Sequence, residues 1–141
     1  MKFSSLSPLV ALALLAPSAT SAQAPDLDKL DKACTAAARA IAAANPPPPP
    51  TTQLVATHFA RTTTHRCYVL LTQIAAGPPA ANIRTLYRGE KRQVLAIASD
   101  VGGARSGSVF DPSHVAQGPL QNGYDDALGY IDSKMAFDEV P

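Results

Sequence analysis

The chain has no tryptophan and only four tyrosines and four phenylalanines among its 141 residues. A core built from it must therefore come mainly from Leu, Ile, Val and Ala, which bury less area per side chain than aromatic residues do. Strong charge of either sign is also missing. Twelve basic residues stand against eleven acidic ones, a balance that gives no footprint for nucleic acid or for an anionic membrane surface. No Cys-x-x-Cys or His-Glu-x-x-His occurs, so no compact metal motif is present. The glycine-rich "DVGGARSG" (100–107) lacks the Lys-Ser/Thr of a phosphate-binding loop. Long apolar runs are absent too. The longest, near Leu6–Ala16, falls short of the roughly 20 residues that cross a bilayer.

That short run has its own meaning. Lys2 precedes it, and a small-residue stretch ending at Ala22 follows it, which is the pattern of a secretory signal peptide over residues 1–22. No cysteine follows at once to carry a lipid. The expectation is a periplasmic or secreted protein, free of the membrane after signal removal. Residues 23–141 are then a single small α+β domain with about two-thirds of its unfolded surface buried.

The segment 25–45 reads as a helix. Pro25 and Asp26 mark its start, and Leu27, Leu30, Cys34, Ala37, Ile41 and Ala44 recur at steps of three and four. Asn45 ends it. Five prolines, 46–50, then form a stiff polyproline spacer. Four strand-like runs follow at 53–60, 65–75, 82–88 and 91–99, with short connections that favour an antiparallel meander. The first hairpin loop is expected at Arg61–Thr64, placing His58 opposite Cys67 and Ala60 opposite His65. In the third and fourth runs, Ile83, Thr85, Tyr87, Val94, Ala96 and Ala98 are expected on the core face. Residues 100–123 read as a loop without period, long enough to be functional or mobile. A closing helix is expected from Tyr124 to Phe137, capped by Asn122, with Tyr124, Leu128, Ile131 and Met135 as its apolar stripe over Leu95 and Ile97. The order is an N-terminal helix, a polyproline spacer, a four-stranded antiparallel meander and a C-terminal helix.

Two cysteines in an exported chain are the minimum for one bridge. If the first helix packs on the sheet, Cys34 and Cys67 form a disulfide between the layers. That bridge decides how "HFARTTTHRC" (58–67) is read. A zinc site of His58, His65 and Cys67 would lose its thiolate, so both histidines are read as structural and no metal or other cofactor is expected. Ser106, Asp111 and His114 share the glycine-rich loop, which is poor support for a catalytic triad. Asp125 and Asp126 are adjacent on a helix, point about 100° apart, and read as N-terminal helix charges. No catalytic residue is assigned.

Charge is uneven along the chain. Seven basic residues lie between Arg61 and Arg105, and six acidic ones between Asp111 and the end. The acidic end either lies near the basic middle, in this chain or in a second copy, or forms a separate solvated surface. The densest basic group, Arg84, Arg88, Lys91 and Arg92, is the candidate interaction surface, with a protein of the cell envelope as its expected partner.

Two stretches, His58-Phe59 with Arg66-Cys67-Tyr68 and "TLYRGEKRQVLAIA" (85–98), resemble small exported bacterial proteins of no assigned function. The resemblance spans residues 55–98 and implies that Cys67 belongs to a recurring sheet framework. A helix followed by a meander also resembles the cystatin plan, and "QLVAT" (53–57) is similar to the cystatin inhibitory loop, although Thr57 stands where that loop has glycine. The reading is an exported, non-catalytic binding domain. A cystatin-like protease or hydrolase inhibitor and a small periplasmic hydrolase are the alternatives. Oligomeric state is open.

Overall fold

The computed structural model describes residues 23–46, 52–61, 64–114 and 123–136. Residues 1–22, where a signal peptide is expected, prolines 47–50, residues 115–122 and Phe137 lie outside the described residues. Helix α1 (Gln23–Ala44) is followed by five strands: β1 (Thr52–Arg61), β2 (Arg66–Ala75), β3 (Ala81–Arg88), β4 (Gln93–Val101) and β5 (Ala104–Val109). Helix α2 (Tyr124–Met135) closes the fold. The strands pair in sequence order and are antiparallel throughout. This is an α+β fold, with five strands rather than four. Part of the expected 100–123 loop is β5, which returns from β4 through Gly102 and Gly103 and pairs from Val101↔Ala104 to Ala96↔Val109.

β2 explains the layering. Its apolar run Cys67-Tyr68-Val69-Leu70-Leu71 does not alternate with polar residues, as expected of a strand covered on both faces. Cys67, Val69 and Leu71 pack with Cys34, Ala38 and Ile41 of α1. Tyr68 packs on the opposite face with Ala127, Tyr130 and Ile131 of α2, together with Leu86, Leu95, Ala96 and Ala98. The sheet thus separates two cores, one under each helix. The fully buried side chains Ile41, Val69, Leu71, Leu86 and Ile131 each contribute about 1.5–3 kcal/mol of burial.

α1 begins before Pro25, which costs nothing there because the first-turn N–H groups have no intrahelical acceptor. Burial sets in at Cys34, whereas Leu27 stays 37% exposed. The Asn45 side-chain amide donates to the Ile41 carbonyl at 2.8 Å and closes the helix end. The Cys34–Cys67 disulfide is present, with a Cα–Cα distance of 5.4 Å across 33 positions. It ties α1 to the sheet.

Two register expectations and one helix cap are corrected. Arg61 and Arg66 add a rung to the β1–β2 ladder, so Ala60 faces Cys67 and His58 faces Val69. This shift of two keeps His58 on the face of Cys67, but His65 leaves the strand for the turn, at φ 49°. In the β3–β4 pair, Leu86 faces Ala96 while Tyr87 faces Val94, leaving Leu95 as an extra residue. A bulge of this kind turns two consecutive side chains to one side. Leu95, Ala96 and Ala98 therefore share the α2 core with Leu86, not a face with Ile83, Thr85 and Tyr87. α2 covers Leu95, as expected, but Ile97 pairs with Thr85 on the other face. Finally, Gly123 and not Asn122 occupies the N-cap of α2. That helix lies so close to β5 that a methyl at Gly107 would sit 2.8 Å from the Tyr124 Cα.

Candidate functional site

The groove with the most convergent chemistry lies between the chain leaving β5 and the outer side of α2. Phe110 extends the sheet by donating its N–H to the Leu95 carbonyl at 2.7 Å. Asp111 then starts a tight turn. Its Oδ1 accepts the Ser113 N–H at 3.0 Å and the Ser113 hydroxyl at 2.7 Å, and its carbonyl accepts the His114 N–H at 3.0 Å. A short acidic side chain closing its own turn is the local reason this segment has a defined shape.

Helix α2 supplies the opposing wall. Asp126 and Tyr130 are four residues apart and so fall on one side of the helix. The Tyr130 hydroxyl donates to Asp111 Oδ2 at 2.6 Å. His114 Nε2 lies 2.9 Å from both oxygens of Asp126. A carboxylate can only accept, so Nε2 carries the proton. The His114 and Tyr130 rings meet edge to face with centroids 4.9 Å apart, and Lys134 Nζ lies 5.3 Å from the Tyr130 centroid. The groove between these walls has a volume of about 500 Å³ and is also lined by Asp125 and Ser133.

The electrostatics follow from those contacts. Asp111 is held down at about 2, chiefly by the Tyr130 hydroxyl, then by the two hydrogen bonds from Ser113. Tyr130 is pushed well above the usual phenol range, first by burial and then by its bond to Asp111. Around neutral pH the pair is thus a fixed carboxylate and a fixed neutral phenol. The groove holds Asp111, Asp125 and Asp126 against Lys134 and His114. Arg61 reaches from β1 to the carbonyl of Ser133 at 3.3 Å, a cation at the negative end of α2.

The basic quartet does not form one surface. Arg84 and Arg88 are half-buried on β3, on the α2 face of the sheet, and the Arg88 Nε is buried with no hydrogen-bond partner among the described residues. Lys91 and Arg92 are exposed in the 3-10 turn Gly89–Lys91 and its following residue, and that turn packs against α1. The two halves therefore lie toward opposite faces. Nor do Ser106, Asp111 and His114 converge. Gly107 faces α2, so Ser106 beside it faces the other side of the sheet. The Cys67 sulfur is committed to its bridge, and His58 Nε2 lies 3.4 Å from Asp31 Oδ1 and 3.3 Å from Thr35 Oγ1. Among the described residues no group of three His, Cys, Asp or Glu side chains could hold a metal ion. "QLVAT" lies inside β1, paired from Gln53↔Ile74 to Thr57↔Leu70, and is not a hairpin tip.

The sequence singles out Asp111, His114 and Asp126 but not their partners, and it gives Tyr130 no role. The one available signal was the spacing Asp126–Tyr130–Lys134, a polar line down a helix whose other side is apolar. No protein-family model, curated protein or solved structure matches the chain. Among the described residues no helix is long and apolar enough to cross a membrane.

Proposed function

We propose that the chain is an exported, periplasmic or secreted, non-catalytic binding domain whose docking site is the groove between Asp111–His114 and α2. Its ligand is a cationic group, a lysine ammonium or an arginine guanidinium displayed by a partner protein of the cell envelope. The observation that carries this reading is the convergence of Asp111, Asp125 and Asp126 on one groove beside the Tyr130 and His114 rings. Carboxylates supply charge-assisted acceptors, and aromatic rings add a favourable surface for a cation. The hydrogen bonds from Ser113 and Tyr130 hold Asp111 in place before any ligand arrives, which lowers the ordering cost of binding.

Binding is favoured over hydrolysis by where the hydroxyls point. Ser113 donates to Asp111, and Ser133 donates to the Tyr130 carbonyl at 2.7 Å. Neither is aligned on His114, so among the described residues the groove presents no activated nucleophile. The disulfide supports an oxidising destination, consistent with removal of a signal peptide over residues 1–22. A fluorescent lysine- and arginine-containing peptide, compared with its lysine-acetylated, arginine-free counterpart, tests the proposal. Binding of the cationic peptide alone is expected, weakened several-fold by Asp125→Asn and by salt. Equal affinity for both peptides, or for wild type and Asp125→Asn, would rule the groove out.

A further inference from the structure

The two edges of the sheet are guarded very differently. β5 has six residues, contains Arg105 and Gly107, and is straddled by α2, whose first residues lie directly on Gly107. β1 is ten residues long and contains no Pro, Gly, Lys, Asp or Glu. It pairs with β2 from end to end without a bulge. Short length, proline, lysine, inward charge, bulges and a covering element are the devices by which an edge refuses another strand. β5 uses several of them. α1 covers one face of β1 through Leu54, Ala56 and Ala60, but among the described residues its outer edge carries none of the other devices and no strand lies beyond it. Near its centre Val55 is 45% exposed, with Gln53 and Thr57 exposed on either side.

We propose that β1 is a self-association edge, which pairs antiparallel with β1 of a second copy and continues the sheet across a two-fold axis. Symmetry and charge both favour a second copy as occupant. A two-fold axis normal to the sheet preserves its faces, so odd-numbered residues meet odd-numbered ones. Val55 then meets Thr57 or Phe59 of the copy in the two registers centred on the strand, and Val55 itself in a register one step toward its start. The ionisable side chains of β1, His58 and Arg61, lie in its second half. Antiparallel pairing places Arg61 opposite Gln53 or beyond the beginning of the other strand, so like charges do not oppose one another in these registers. A ladder of this length adds about one backbone hydrogen bond per residue pair. One strand pair is a small interface, so the dimer forms in the micromolar range.

Sedimentation equilibrium of the disulfide-intact chain across that range tests the proposal. A monomer–dimer equilibrium is expected, with Val55→Lys weakening it about tenfold or more while leaving the circular dichroism unchanged. Cross-linking locates the contact without relying on that variant. Val55→Cys, alone or mixed with Thr57→Cys, is expected to form a covalent dimer under mild oxidation, and Ser106→Cys on β5 is not. Cys34 and Cys67 are 0% and 1% exposed and do not compete. A monomer at every concentration, a dimer indifferent to Val55→Lys, or cross-linking as efficient at position 106 as at 55 and 57 would each overturn the assignment.

Discussion

Gly89 sits where the turn after β3 passes over the disulfide. A methyl added there would lie 2.5 Å from Cys67 Sγ, 3.2 Å from Cys67 Cβ and 3.4 Å from Ala37 Cβ. The sulfur cannot swing aside, because it is bonded to Cys34 and buried at both ends. The turn is not free to lift either, since Glu90 Oε1 accepts the Cys67 N–H at 2.7 Å. Overpacking of this type costs about 1–3 kcal/mol, and Gly89→Ala is expected near the middle, about 2 kcal/mol. The same substitution in a Cys34→Ala/Cys67→Ala background meets no sulfur. What remains are the Cβ contacts, and the smaller unfolded-state entropy of Ala offsets them, leaving a cost below about 0.5 kcal/mol. Urea denaturation followed by far-ultraviolet circular dichroism on the four proteins closes the cycle, with a coupling of about 1.5 kcal/mol or more expected between position 89 and the bridge. Equal losses in the two backgrounds would refute the argument, because the sulfur would then not be what excludes a side chain.

Opening the disulfide itself releases a loop of 33 positions, which costs about 4 kcal/mol in the chain-entropy model, read as a lower urea midpoint in reductant. An unchanged midpoint would mean that the bridge constrains nothing. Asp111 sits lower when folded, about 2 against the ordinary 3.8, so it contributes stability at pH above 4 that disappears as pH falls from about 4 toward 2. After discounting for the solvent exposure of this carboxylate the loss is on the order of 1 kcal/mol. Tyr130→Phe removes the main donor to Asp111 and should flatten this part of the profile; identical acid profiles for the two proteins would discount the Tyr130–Asp111 bond. Tyr130 shifts the other way, so its contribution holds at pH below 10 and is lost above. The difference between the phenol absorbance titrations of wild type and Tyr130→Phe should therefore be a group that ionises above the ordinary phenol range.

Local pattern sufficed for most elements and failed where distant residues decide. The stripe of α1 was readable because Cys34 and Ile41 are seven apart and both face the sheet. β2 was readable from its unbroken apolar run. β5 was not, because "ARSGSV" has only Val109 as a sizeable apolar residue, and its strand conformation comes from pairing with β4 under α2. The face of Ala96 and Ala98 was misjudged because nothing in "KRQVLAIAS" marks Leu95 as the inserted residue. The candidate site failed for a similar reason. The Asp111–Tyr130 and His114–Asp126 bonds span 19 and 12 positions. Only the packing of α2 on β5 brings their partners within reach.

The disulfide restrains one side of the molecule only. α1 and β2 are fastened together by sulfur, whereas among the described residues α2 is held only noncovalently, by packing on Tyr68, Leu86, β4 and β5, by the Asp111 and His114 contacts and by the Arg61 bond to the Ser133 carbonyl. Spontaneous opening will start from the unfastened side. Amide protons of β5 and α2 will exchange ahead of those beside the bridge, and a protease will find its first cleavage point there. The proposed docking groove belongs to that looser half, so an occupant gripping both Asp111 and α2 would act as a second, reversible clasp.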